Sequence, residues 1–466
     1  CQGYVGLIAN GQYREAVALI KEQLPLPSCI GRVCPHPCET ACRRTLVEEP
    51  VAIAALKRFV GDIDLMKDSF VADIKPSTGK RVAVVGSGPA GLTAAYFLTR
   101  EGHDVTIYEA MSETGGMLRY GIPQYRLPKD IVDKEVGLIE AMGVKIQTNR
   151  RLGGDLTLDY LKTGYDAVFL GIGAWKSSSM RCEGEDKEGV YGGIDFLRQV
   201  TLNQPVVMGR KVLVVGGGNT AMDAARTAVR LGAEEVHVLY RRTRAEMPAE
   251  DIEIVEAEEE GVLFHYLVAP IEVVGEDRAR GLRCQKMRLG EPDASGRRRP
   301  EPISGEEELF EADTIIAAIG QQVSAQDISG LDLTKRGTIG VHEDTFETNI
   351  PGVFAGGDAV TGPKIAIQAV DQGKKAATAI DSYLRGHLMA IPEKIYVKDE
   401  KTAEDFEDRE KEPRLPMRVM EPAQRRHNFR EIAEIMTEEE ARKEASRCLE
   451  CGCGDYFECQ LFKYMN

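Results

Sequence analysis

No stretch of this chain approaches the roughly 18 consecutive apolar residues of a membrane helix, and no basic start with an apolar core resembles a signal peptide. Both absences argue against membrane and secretory routes, so the cytoplasm is the expected location. Positive charge is short as well: 59 Lys and Arg face 74 Asp and Glu, for a net charge of −15. A nucleic-acid partner would want a basic face, so none is expected. Cysteine is nearly missing from the middle of the chain, where only Cys182 and Cys284 lie between Cys42 and Cys448. Those two read as plain buried residues. The chain opens at Cys1 without an initiator Met, and reads as a piece of a longer polypeptide or one lacking its leading residues.

What is present is a soluble-protein composition, 43% hydrophobic and 29% charged over 466 residues, long enough for two or three domains. Its most telling features are two glycine fingerprints. Gly86-Ser87-Gly88-Pro89-Ala90-Gly91 follows the apolar run Arg81–Val85 and opens a helical stretch over 89–101. In such a turn the first glycine permits the tight bend, the second lets the backbone approach a pyrophosphate, and the third lets helix and strand pack closely. The phosphates then meet the helix N-terminus, where unpaired N–H groups and the dipole favour anions. Glu109, at the end of the next strand, is placed to accept hydrogen bonds from an adenosine ribose.

The pattern restarts at Lys211–Val215 with Gly216-Gly217-Gly218-Asn219-Thr220-Ala221. Here Ala221 replaces the third glycine, and the second strand ends in Arg241-Arg242 instead of an acid. Guanidinium groups would hold a 2′-phosphate that a carboxylate repels, which favours NADP(H) over NAD(H). The alternative is a solvated face beside Glu246, Glu250 and Asp251. Two dinucleotide sites in one chain imply electron transfer between them. No Cys-x-x-Cys or Cys-x4-Cys pair lies near either fingerprint, so a redox disulfide beside a flavin is not expected.

Two further loops carry small residues. Gly115-Gly116-Met117-Leu118 could lie along a flat ring, or simply turn. Ala355-Gly356-Gly357-Asp358 offers close backbone approach and one acid for a polyol hydroxyl, though Gly-Gly-Asp is also common turn chemistry. The cysteines cluster at both ends: Cys1, Cys29, Cys34, Cys38 and Cys42, then Cys448, Cys451, Cys453 and Cys459. Four thiolates at such spacing suit zinc or an iron–sulfur cluster, and spacing alone does not choose. Beside a flavin and a nicotinamide site, one-electron carriers make more sense, which favours iron–sulfur.

The expected fold class is α/β, with two Rossmann-like domains, the second inserted in the first. Residues 1–75 read as a helical cysteine-bearing domain, 80–200 with 312–390 as the first nucleotide domain, and 205–311 as the second. Residues 392–466 read as a charged linker and cysteine-rich tail.

Together these motifs resemble the small (beta) subunit of glutamate synthase and its relatives, which include the N-terminal half of dihydropyrimidine dehydrogenase and the large subunit of ferredoxin-dependent transhydrogenases. The resemblance covers residues 1 to about 390. It is carried by Gly31–Pro35, Pro37–Glu39, Gly86–Gly91, Gly115–Pro123, Gly216–Asp223, Tyr240–Pro248 and Pro351–Asp358. It implies FAD on Gly86–Gly91, Glu109 and Asp358, and NADPH on Gly217–Ala221 with Arg241 and Arg242 at its 2′-phosphate. Hydride would pass between nicotinamide and flavin, and single electrons through [4Fe-4S] clusters. Cys1, Cys34 and Cys38 would share one cluster, with Cys29 or a non-cysteine group as fourth ligand, and Cys42 would serve a second. The cysteines from Cys448 to Cys459 depart from the glutamate synthase pattern. They point to a module of a larger redox complex, electron bifurcation being one option. The competing readings are a glutamate synthase beta subunit proper and an electron-relay subunit with an idle nicotinamide site.

Overall fold

The computed structural model describes residues 1–66, 69–293, 296–326, 328–391 and 401–451. Four helices, Gln2–Ala9, Tyr13–Lys21, Pro27–Val33 and Ile53–Met66, form the N-terminal bundle. Tyr13–Lys21 buries Ala16, Val17 and Ile20, the single stripe that helical spacing puts on one side. Pro27 opens its helix at the first turn, where its missing N–H costs nothing.

Two parallel five-stranded sheets follow. The first runs Val353–Ala355, Ala167–Leu170, Arg81–Val85, Asp104–Tyr108, Lys145–Gln147. The second runs Val190–Gly192, Thr314–Ala317, Lys211–Val215, Glu235–Tyr240, Leu263–Tyr266. Their central strands, Val-Ala-Val-Val and Val-Leu-Val-Val, are buried along their length, as parallel strands covered on both faces must be. The crossover helices Pro89–Arg100 and Asn219–Arg230 begin at the two fingerprints. A third, antiparallel sheet of Val268–Val274, Gly281–Pro292 and Arg298–Glu311 projects from the second unit.

Two expectations need correction. Val190–Gly192 and Thr314–Ala317, assigned by sequence to the first nucleotide domain, pair within the second sheet, with Thr314 opposite Val212. A short buried apolar run fits the centre of either sheet, so sequence alone could not say which. The two connections between the units instead lie side by side, as the antiparallel ribbon of Lys176–Ser177 and Gln321–Gln322.

The stretch expected to be linker is the second correction. Residues 392–400 lie outside the described residues, but 418–434 form a strap. Met420 N–H donates to Ile432 O (2.8 Å), and Ile432 N–H donates to Tyr125 O (3.0 Å). Arg425 reaches Glu260 (3.0 Å) and Glu259 (2.6 Å) on the second unit. Glu431 pairs with Arg32 (2.7 Å) and Arg58 (3.0 Å) on the bundle. Charge holds this segment, which is why apolar periodicity missed it. Among the described residues no helix is long and apolar enough to cross a membrane.

Candidate functional site

The first cradle is shaped by backbone proximity. Gly86 turns the chain at φ +100°, and a Cβ on Gly91 would stand 1.9 Å from Gly86 O, so helix Pro89–Arg100 presses directly on the turn. At Gly88 the situation is the reverse. A Cβ there would meet nothing closer than Gly116 Cα at 4.0 Å, and no side chain caps the helix that Pro89 and Ala90 begin. Uncapped N–H groups facing open space are what a pyrophosphate needs. Glu109 organises the turn: one oxygen accepts from Ser87 N–H (2.9 Å) and Oγ (2.6 Å), the other from Met111 N–H (2.8 Å). Ser87 Oγ in turn accepts from Gly115 N–H (3.1 Å), which seats the Gly116–Met117 loop beside the cradle.

Gly357, at φ +69°, is fixed by donation to Gln372 Oε1 (2.7 Å) and points Asp358 into the site. Asp358 has one backbone donor, Lys364 N–H at 3.1 Å, and burial pushes its carboxyl up to about 6. A half-buried acid with spare acceptor capacity suits hydroxyl donors.

The second cradle repeats the plan with looser contacts. Gly218 caps helix Asn219–Arg230 without a side-chain hydrogen bond, and a Cβ on it would meet only Pro248 Cγ at 3.9 Å. Asn219 Oδ1 accepts from Glu250 N–H (3.0 Å), fixing the loop over the helix start. Gly216 and Ala221 stand behind this surface, as Gly91 and Gly357 do in the first cradle. The two arginines part company. Arg241 is exposed, whereas Arg242 is buried, with Nε on Arg298 O (2.6 Å) and Nη2 on Asp293 (2.7 Å). Glu246, offered by sequence as part of a solvated face, is buried and pairs with Arg298 (2.7 Å).

Both cradles open into one cavity of about 730 Å³. Gly86, Gly88, Pro89, Ala90, Glu109, Gly116, Met117 and Asp358 line it from the first unit, and Gly218, Asn219 and Thr220 from the second. Sequence reasoning missed the residue at the junction. Arg126, on the loop after Pro123, also lines the cavity, with Nη1 on both Asp223 oxygens (2.9 and 2.8 Å) and Nε on Glu253 (2.8 Å). It ties the first unit to the second at their meeting point. No spacing rule marks such a pair, 97 residues apart.

The cysteines gather at the bundle. Cys29 and Cys34 are buried, Cys38, Cys42, Cys448 and Cys451 half-buried, and Cys1 exposed; all are free thiols. Cys453 and Cys459 lie outside the described residues. Tyr4 Oη is buried without a hydrogen-bond partner, and burial with the charges of Cys38, Glu39 and Cys34 pushes its phenol up. An orphaned donor beside free thiols fits an acceptor such as cluster sulfide. Cys29 is buried with its N–H donating to Glu135 Oε2 (3.0 Å), and burial and that carboxylate push its thiol well up. Among the described residues no three Cys, His, Asp or Glu side chains converge on a single ion.

Residues 80–373 match the family model described as pyridine nucleotide-disulphide oxidoreductase, and residues 1–69 the one described as dihydropyrimidine dehydrogenase domain II, 4Fe-4S cluster. The NADP(+)-dependent formate dehydrogenase subunit beta of Moorella thermoacetica is 44% identical, covering 96% of this chain and 68% of its own length. The glutamate synthase [NADPH] small chain of Escherichia coli is 37% identical, covering 82% of this chain and 85% of its own. Among solved structures, Mycobacterium tuberculosis FprA in complex with NADPH has the same fold, with a TM-score of 0.58, 20% identity, and coverage of 68% of this chain and 88% of that one.

Proposed function

The chain belongs to the pyridine nucleotide-disulphide oxidoreductase family, and from that premise we propose how its two cradles divide the work of a flavin-dependent, NADP(H)-linked iron–sulfur oxidoreductase subunit. FAD goes to the first cradle: Gly86, Gly88, Pro89, Ala90 and Gly91 hold its pyrophosphate, and Glu109 takes ribose hydroxyls. Gly116 and Met117 lie along its ring, and Asp358, set in place by Gly357, meets its polyol. NADP(H) goes to the second, on Gly216, Gly218, Asn219, Thr220 and Ala221, with Arg241 at the 2′-phosphate and Arg242 as the strut behind it. Cys34 and Cys38, with Cys1 and Cys42, are the bundle's candidates for cluster ligation.

When bound, FAD exchanges a hydride with a nicotinamide and single electrons with [4Fe-4S] clusters. The protein's part is placement. The shared cavity carries the reading, because both cradles open into one space that two dinucleotides would share. Arg126 holds the two walls in register through Asp223 and Glu253. Both units line the cavity, and no side chain is needed as an acid or base for hydride exchange.

The uncapped helix at Gly218 and the outward Arg241 favour a working nicotinamide site over an idle one. The relatives carry subunit names, which supports a partner redox subunit at the other end of the electron path. The longer match to the formate dehydrogenase subunit, 96% of this chain against 82%, favours a redox-complex module over a glutamate synthase beta subunit proper.

The test is anaerobic absorbance at the flavin band after mixing with NADPH or NADH. Fast bleaching with NADPH alone, followed by loss of the broad iron–sulfur absorbance, is the expected result. Equal bleaching by NADH overturns the Arg241 assignment, and no bleaching by either leaves a relay subunit.

A further inference from the structure

One motif is unused by this reading: the Cys448-Leu449-Glu450-Cys451 turn at the end of the C-terminal arm. Its place in the fold is not that of a free tail. Helix Glu438–Ser446 packs against Gln2–Ala9 and Ile53–Met66 of the bundle. Glu444 Oε1 accepts from Ala52 N–H (2.8 Å), and buried Arg447 grips Glu48 Oε1 (2.9 Å) and Glu49 O (2.8 Å).

The turn itself lies along the residues that follow Cys42. Arg44 Nη1 donates to Arg447 O (3.0 Å), and Arg43 Nη1 donates to Cys451 O (2.7 Å), a contact spanning 408 positions of sequence. From the other side, Gln2 Nε2 lies 3.5 Å from Cys451 Sγ. Cys38, Cys42 and Cys448 pack against the same apolar core. Within the turn, Glu450 sits at φ +49°, a left-handed conformation that a glutamate adopts only when its surroundings impose it. So the two cysteine-rich ends of the chain form one surface.

The donor chemistry is all thiol, which suits zinc or iron–sulfur. The redox function separates them, because zinc carries no electrons and an electron path needs a one-electron carrier at its end.

We propose that Cys448 and Cys451 are thiolate ligands of a [4Fe-4S] cluster seated where the C-terminal arm meets the Cys42 edge of the bundle. This rests on the redox function above and extends its electron path. Held there, such a group would supply one-electron carriage between the bundle's cluster and the partner subunit, with no bond made or broken.

The test compares the anaerobically isolated full chain with its Cys448→Ser/Cys451→Ser variant. Iron, sulfide and zinc are counted per chain, EPR spectra are taken after dithionite reduction, and FAD per chain reports folding. The expected result is loss of about four irons and one cluster signal, with FAD retained. Unchanged iron and spectra overturn the proposal, and so does loss of zinc in place of iron. If the variant loses FAD, alkylation of the wild-type chain decides. Cys448 and Cys451 should resist iodoacetamide until a chelator strips the iron, and equal labelling before and after overturns the proposal. A wild-type chain whose flavin NADPH does not bleach defeats the functional reading instead, while the iron count still stands.

Discussion

The two cradles are built on the same strand–turn–helix plan, yet they differ at the third fingerprint position and at the end of the second strand. In the first, three glycines let helix Pro89–Arg100 close on its turn, and Glu109 knits that turn to Ser87 and Met111. The second has Ala221 at the third position, an exposed Arg241 where the acid would be, and a buried Arg242 braced on a neighbouring sheet. The first therefore suits a cofactor that stays, since its anchoring groups are rigid and internal. The second suits a substrate that comes and goes, recognised by a charge that reaches into solvent. One architecture serves both, and the difference lies in a few side chains.

Exchanging the third fingerprint position should separate the cradles most. Gly91→Ala puts a methyl 1.9 Å from Gly86 O, where only backbone movement can relieve it. The expected cost is about 3 kcal/mol or more of stability, with FAD lost from the purified protein. Ala221→Gly meets no clash and should cost only about 1 kcal/mol, through helix propensity. FAD content and thermal unfolding of the two variants check this. Equal costs would mean that the close packing of the first cradle does not distinguish it.

The arginines sharpen the second half of the comparison. Arg241→Ala should weaken NADPH roughly ten- to a hundredfold, the worth of hydrogen bonds to a charged group, and leave NADH unchanged. Arg242→Ala should instead weaken both nucleotides alike, because it removes the bonds to Asp293 and the Arg298 carbonyl that brace the loop beneath the site. Dissociation constants for both nucleotides separate the two cases. A loss confined to NADPH in Arg242→Ala would make it a direct phosphate ligand.

Much of this was legible in the sequence. The strands Arg81–Val85 and Lys211–Val215 and the helices after them stand where their apolar runs and glycines put them. Such elements announce themselves because their signals are local. The misses were long-range. The sheet that Thr314–Ala317 joins is decided by partners about a hundred residues earlier, in Lys211–Val215. The strap over 418–434 is ordered by Arg425 on Glu260 and Glu431 on Arg32, which no periodicity encodes. Arg126 and Asp223, and the meeting of Cys451 with Gln2, belong to the same class.

The smallest effect tests whether the first cradle is incomplete without its ligand. Burial raises the Asp358 carboxyl from 3.8 to about 6, so the folded chain keeps a proton between roughly pH 4 and 6 that the unfolded chain has released. Stability from that proton is present below about pH 4, falls as pH rises through the window, and is gone above 6. Asp358→Asn keeps an acceptor and removes the charge. Flavin-free Asp358→Asn should then be more stable than wild type at pH 7.5, by on the order of 1–2 kcal/mol after discounting for partial exposure, and equal to it near pH 4. With FAD bound, hydroxyl donors would satisfy the carboxylate and shrink the gain. Denaturant midpoints at the two pH values, with and without FAD, measure all four states. The same gain at both pH values would show that the carboxylate is not titrating. A gain that FAD does not shrink would show that Asp358 does not meet the ligand, which would remove the acid that most clearly marks the first cradle as a site built around a resident cofactor.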